Sequence, residues 1–186
     1  MGNPWICKES RDCGDYKIFK VRQDTCESPR TGLDHNFFVL ETTDWTTVVP
    51  VTPEGKLVCI QQWRPGTAAI ELELPGGVID PDETPKEAAA RELREETGYI
   101  ADDLVPLGTM SPNPAILTNR CHFFLAKDVT PTGERELDAA EDIDSVLIDP
   151  SRIPDLVTAG TLRHGIIIAA LYHYELYLRS VRRIKQ

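Results

Sequence analysis

GGVIDPDETPKEAAARELREETGY, residues 76–99, decides how the rest of the chain is organised. Thr84 followed by Pro85 and Glu87 is a helix-start signature, a capping box with proline at the first helical position. Gly98 supplies the stop. At about 100° per residue, Glu92, Glu95 and Glu96 share one arc, with Ala89 and Leu93 on the adjoining side. The spacing predicts a helix with an apolar stripe for a sheet and an acidic stripe beside it. Like charges three or four apart repel by roughly 0.2–0.5 kcal/mol per pair. Arg91 is placed to brace Glu87 and Glu95 at four-residue spacing, but not all three acids. A solvated acidic face is the commonest fate of such a helix. Here the two upstream glycines let a backbone carbonyl approach an ion, and Glu83 stands at the helix entrance. Hard oxygen donors in that number suit Mg²⁺ or Mn²⁺, ions that bridge protein carboxylates to phosphates.

Working outward, residues 1–14 are polar and read as irregular, and YKIFKVRQ (16–23) alternates like a strand. HNFFVLET (35–42) and TTVVPV (46–51) read as strands, with Pro50 pointing to an edge or bulge. TPEG (52–55) is a turn into KLVCIQQW (56–63), its expected hairpin partner. AIELEL (69–74) alternates apolar and acidic residues, as a strand with one wet face does. LVPLGTM (104–110), RCHFFLA (120–126) and DSVLID (144–149) are further strands, and helices are expected near 151–159 and 162–180. With no repeat, low-complexity tract or linker, the chain reads as one α+β unit with an N-terminal strand-rich extension.

The 186 residues carry a formal net charge of −10, which argues against a nucleic-acid or anionic-membrane binder. It leaves room for a small phosphorylated ligand, since a bound cation inverts the local sign. MGNPWICKES lacks the apolar core of a secretory signal, and the longest apolar stretch, 165–178, is interrupted by His173 and Glu175. The five cysteines are odd in number and form no C-x-x-C pair, so reduced thiols in a cytoplasmic protein are expected. The four histidines have no metal-like spacing and read as structural.

Gly77, five residues, Glu83, seven residues, then Arg91-Glu92-Leu93-x-Glu95-Glu96-x-Gly98-Tyr99 resembles the Nudix box of the Nudix hydrolases. Tyr99 departs from the aliphatic residue usual at that place. The resemblance implies a mixed sheet packed between helices, and Mg²⁺-dependent hydrolysis (Mn²⁺ as substitute) of a nucleoside diphosphate linked to another moiety. It makes Glu92 and Glu96 the principal metal ligands, Glu95 a further ligand or part of the base network, and the Gly76 carbonyl a completing ligand, with Arg91 orienting the glutamates. QQWRPGTAAIELELPGGVID is similar to the run before the box in ADP-ribose pyrophosphatases, where the positions of Arg64 and Glu73 are associated with substrate.

That subgroup carries a proline some fifteen residues past the box, and Pro114 lies fifteen after Tyr99. Ser111-Pro112-Asn113-Pro114 departs from its usual Ser-Pro-Gly, so both ADP-ribose and a broader range of nucleoside diphosphate sugars stay open as substrates. Other nucleotides (a dinucleoside polyphosphate, an oxidised nucleotide, a dinucleotide coenzyme) and a non-catalytic nucleotide sensor are the alternatives. Glu141 resembles the mobile-loop acid that acts as late metal ligand or base, with Asp138 and Asp142 as competing choices. Trp5, Trp45 and Trp63 are candidates for stacking on a base, Trp45 first among them. The resemblance further implies a homodimer with exchanged N-terminal strands, residues 1–45 forming the extension and 46–186 the Nudix domain.

Overall fold

The computed structural model describes residues 2–133, 135–137 and 142–184. They group into two compact units, residues 1–44 with 111–120, and residues 45–110 with 121–186. The first unit is an antiparallel sheet of β1 (Ile6–Asp15), β2 (Lys20–Glu27) and β3 (Asp34–Glu41) in that order. Residues expected to be irregular thus form a ten-residue strand. Nearly all of β1 is exposed, so no apolar alternation marks it, and its pairing rests on the ladder and on cross-strand contacts such as Lys8 with Glu27 and Asp34. The expected strand 16–23 starts late because residues 16–19 make the hairpin turn, where Tyr16 N–H donates to the Phe19 carbonyl and Lys17 holds φ 68°.

Cys7 and Cys26 face each other across β1 and β2 and are joined by a disulfide, which corrects the expectation of five reduced thiols. The pair is formed by register at a sequence separation of 19, and no local motif announces it. Cys13, Cys59 and Cys121 are outside the disulfide and keep their thiols. Segment 111–120 runs beside β3, with Leu40 N–H donating to the Ile116 carbonyl at 2.7 Å and Thr118 N–H to the Leu40 carbonyl at 3.2 Å.

The second unit begins with β4 (Trp45–Val51), β5 (Leu57–Arg64), β6 (Ala69–Glu73) and α1 (Pro85–Thr97). β7 (Tyr99–Ile100), β8 (Leu104–Met110), β9 (Cys121–Lys127), β10 (Thr130–Pro131) and β11 (Ile143–Ile148) follow. A 3-10 turn (Pro150–Arg152), α2 (Ile153–Thr158) and α3 (Gly165–Ile184) complete it. The main sheet runs β11-β5-β4-β9-β8 with β6 also on β5; β4 and β9 are parallel and the other pairs antiparallel. Consecutive residues serve opposite faces. Val48, Val58 and Phe124 pack with Ala89 and Leu93 of α1, while Val49, Leu57, Cys59, Phe123 and Leu125 pack with Ile167, Ala170 and Leu171 of α3. A sheet covered by helices on both faces reads as continuous apolar runs, as here. The expected mixed sheet between helices is what the chain forms.

Pro50 lies inside a central strand rather than at an edge. Thr46 and Val48 donate to the carbonyls of Gly77 and Pro75, both at 2.9 Å. Pro50 comes next in the same phase, where β4 keeps a single bridge to β5, Val51 with Leu57, so its missing N–H falls where the sheet divides. The expected β4–β5 hairpin is accordingly reduced to that bridge, and β5 pairs over its length with β11 and β6 instead. Among the described residues no helix is long and apolar enough to cross a membrane.

Candidate active site

The capping box forms as expected. Thr84 Oγ1 accepts from Glu87 N–H at 3.3 Å, and the Glu87 carboxylate accepts from Thr84 N–H at 2.8 Å. Gly98 closes α1 in the left-handed region with φ 71°. This fixed start phases the helix so that Ala88, Ala89 and Leu93 enter the core, while Glu92 and Glu96, 8% and 2% exposed, sit at its margin.

Glu87 is committed to the cap, so Arg91 does not brace it. The guanidinium instead forks onto Glu83 at 2.7 and 2.9 Å and donates from Nη1 to Glu92 at 2.9 Å and Glu95 at 3.1 Å. Nη2 also reaches the Val78 carbonyl at 3.1 Å. One cation therefore ties three acids and a loop together, and its hydrogen bonds hold the Glu83 carboxyl below its ordinary pKa. The Glu96 carboxylate accepts from Gly76 N–H at 2.8 Å, fixing the glycine turn to the helix. Both glycines are dictated by space. A Cβ on Gly77 would lie 2.4 Å from Glu92 Oε1, and one on Gly76 would lie 2.2 Å from the Thr46 carbonyl oxygen. The carbonyls of Pro75 and Gly77 are taken by β4, so strand alternation turns the intervening Gly76 carbonyl the other way.

Beside this turn opens a cleft of about 280 Å³, lined by Trp45, Arg64, Glu73, Gly76, Gly77 and His164 among others. Four residues singled out from the sequence, Trp45, Arg64, Glu73 and Gly76, thus meet on one cavity, and Glu92 and Glu96 touch its glycine wall. Glu73, only 2% exposed, receives both prongs of the Arg64 fork at 3.0 and 2.8 Å, and His164 Nδ1 stands 3.4 Å away. Burial works against ionisation of Glu73, but the facing imidazole and the guanidinium outweigh it and hold the carboxyl at about 2.

The acidic face of β6 is therefore the buried one, contrary to the wet face read from AIELEL. Ile70 is 68% exposed, whereas Glu71 and Glu73 are inside. Glu71 is gripped by Arg163 through three contacts of 2.7–3.1 Å. No motif in the sequence marks Arg163, and His164, expected to be structural, lines the cleft. The one signal was the adjacent basic pair before α3, matching in number the two acids of the strand.

Pro114 is exposed in segment 111–120 of the first unit, and Trp5 packs edge-on to Phe37 there. Trp63 lies 56% exposed on β5. Glu141 and Asp138 fall outside the described residues; Asp142 is exposed just before β11.

The donor set suits a hard divalent cation: buried carboxylates, a turned-out carbonyl and no soft ligand among them. Among the described residues no three acidic, thiol or imidazole side chains close into a finished cage. Mg²⁺ does not require one, because it keeps several waters and takes one or two carboxylates together with substrate phosphates.

A NUDIX domain model matches residues 43–171. The chain is 36% identical over 127 residues to an ADP-ribose pyrophosphatase of Bacillus subtilis (strain 168), covering 63% of this chain and 69% of that protein. It is 30% identical over 137 residues to the ADP compounds hydrolase NudE of Escherichia coli (strain K12), covering 74% and 73%. A crystal structure of an ADP compounds hydrolase superposes with a TM-score of 0.86 at 24% identity over 97% of both chains, a likeness of fold.

Proposed function

This chain belongs to the Nudix family, and from that premise we propose that it hydrolyses the diphosphate of ADP-ribose or related nucleoside diphosphate sugars with Mg²⁺, Mn²⁺ serving as substitute. The products are a nucleoside monophosphate and a sugar phosphate. The observation that carries the reading is the continuity of the cleft. Trp45, the Arg64–Glu73 fork and the Gly76–Gly77 turn line it, and the turn is in direct contact with Glu92 and Glu96.

Glu92, Glu96 and the Gly76 carbonyl hold the cation in this proposal, with Glu95 at its edge. When bound, the cation supplies Lewis-acid polarisation of the phosphoryl oxygens and lowers the pKa of the attacking water. Arg91 holds Glu92 and Glu95 in a fixed arrangement before substrate arrives, so that reorganisation does not add to the barrier. Arg64 presents a planar guanidinium to the phosphates, already oriented by Glu73. Glu95 or Glu141 accepts the proton of the attacking water. Trp45 offers an aromatic face to the base, a contact of about 1–3 kcal/mol. The proposal includes a homodimer built through the N-terminal strands, residues 1–45. Its support is the exposed apolar set Trp5, Ile6, Ile18, Leu33, Phe37 and Phe38.

The test is turnover of ADP-ribose, ADP-glucose and GDP-mannose in Mg²⁺ and in Mn²⁺, with products resolved by chromatography. Release of nucleoside monophosphate and sugar phosphate is expected. Absence of hydrolysis of every diphosphate in both metals overturns the reading.

A further inference from the structure

Behind the cleft lies a second chamber of about 480 Å³, within the size range of small-molecule sites. Arg64, Glu73 and His164 line both spaces, so this trio is the partition between them. The far wall comes from Gly66 and Thr67 in the turn between β5 and β6, and from Glu71 and Arg163. We propose that this chamber receives the sugar half of a nucleoside diphosphate sugar, an inference that rests on the function proposed above.

Charge and hydrogen-bonding capacity point to that occupant. Two carboxylates, 4% and 2% exposed, face two guanidiniums, so their formal charges cancel. A bare phosphate in the chamber meets two buried anions beside the two cations and gains little. A sugar brings no charge and several hydroxyls, each both donor and acceptor. The forks leave acceptor lone pairs on Glu71 and Glu73. The Arg163 side chain remains 54% exposed, and a guanidinium carries five N–H donors. Vicinal hydroxyls match that alternation of acceptors and donors. The chamber also adjoins the cleft at Glu73, so a diphosphate beside Arg64 leads directly into it.

Gly66→Trp tests the assignment. A Cβ on Gly66 meets nothing within 4 Å and the residue holds no left-handed φ, so an indole is accepted without a backbone clash on the wall of the chamber that Gly66 lines. Gly66→Phe, a smaller ring at the same open position, repeats the test should the first variant fail to fold. Each is assayed on ADP-ribose and on ADP capped by a methyl ester, with ribose 5-phosphate and AMP as product inhibitors.

The expected result is a rise of about tenfold or more in KM for ADP-ribose, and a matching weakening of ribose 5-phosphate inhibition. KM for the methyl ester and inhibition by AMP stay within about twofold. Equal effects on both substrates, or none on either, overturn the chamber assignment while leaving the hydrolase reading in place. Failure of the wild-type protein to cleave either substrate overturns the hydrolase reading, and the chamber assignment with it.

Discussion

Replacing Gly77 by alanine separates the role of the glycine turn from the stability of the fold. The new methyl carbon falls 2.4 Å from Glu92 Oε1, 2.8 Å from its Cδ and 3.1 Å from Oε2. Ordinary contact starts near 3.4 Å, so the carboxylate must retreat by about 1 Å. Gly77 holds no positive φ, so the backbone itself accepts alanine. A misplacement of about 1 Å at a reacting centre costs on the order of 10²-fold in rate, or about 2.7 kcal/mol of barrier. The expected outcome is a kcat on ADP-ribose lowered about 100-fold, a raised Mg²⁺ requirement and a near-native melting temperature. Gly76→Ala behaves differently. Its methyl meets the Thr46 carbonyl oxygen at 2.2 Å and Thr47 Cα at 2.9 Å, both backbone atoms of a central strand, so it lowers the melting temperature itself. Steady-state hydrolysis across a Mg²⁺ titration, paired with thermal unfolding, reads both effects. In a Glu92→Ala background the obstructed carboxylate is gone, and Gly77→Ala should cost nothing more. Full activity in Gly77→Ala, or an undiminished loss in that background, refutes the reasoning.

Glu96→Gln keeps an acceptor for Gly76 N–H but removes the charge; kcat should drop by about 10²-fold or more with circular dichroism unchanged, and native turnover would remove the metal role given to Glu96. Glu73 has its folded pKa lowered to about 2 from 4.5, so its contribution to stability is complete above the ordinary value and is lost as pH falls through about 2. Glu73→Gln should therefore flatten that part of the acid-unfolding curve measured by urea midpoints; acid limbs parallel to wild type would contradict the pairing. Thiol titration of the denatured, unreduced protein should count three reactive groups, Cys13, Cys59 and Cys121, against five after reduction. Five before reduction would deny the Cys7–Cys26 bond.

Where one residue's neighbours in sequence are also its neighbours in space, the chain could be read directly. The start of α1 is such a case, since Thr84 and Glu87 satisfy each other across one turn. So is the largely apolar filling of β4 and β9, where Val48, Val49, Phe123, Phe124 and Leu125 are buried on both faces. β1 escaped notice because both its faces are wet, leaving no periodicity to detect. β6 reads as a strand with one wet face, yet from residue 71 onward both faces are buried, Glu71 and Glu73 on one and Leu72 on the other. Glu71 is inside because Arg163, some ninety residues later, comes to meet it, and Glu73 is held by the nearby Arg64 fork together with the equally distant His164. For Arg91 the four-residue spacing gives the contact with Glu95, whereas its fork on Glu83, eight residues back, depends on how the loop of residues 78–83 folds back. At the candidate site, Trp45, Arg64, Glu73 and Gly76 share a cavity, whereas nothing in the sequence marked the chamber behind them.

β5 touches β4 through one bridge and then leaves it for β6, so the hydrolytic helix and the exposed 65–68 turn stand on separate branches of the sheet. Insertions, deletions or randomised codons in that turn meet open space at Gly66, on the chamber wall, and lie apart from the capping box and the Arg91 clamp. A scaffold forked in this way can drift in what it accepts without first surrendering what it does. A library confined to those four positions is the economical route to new selectivity.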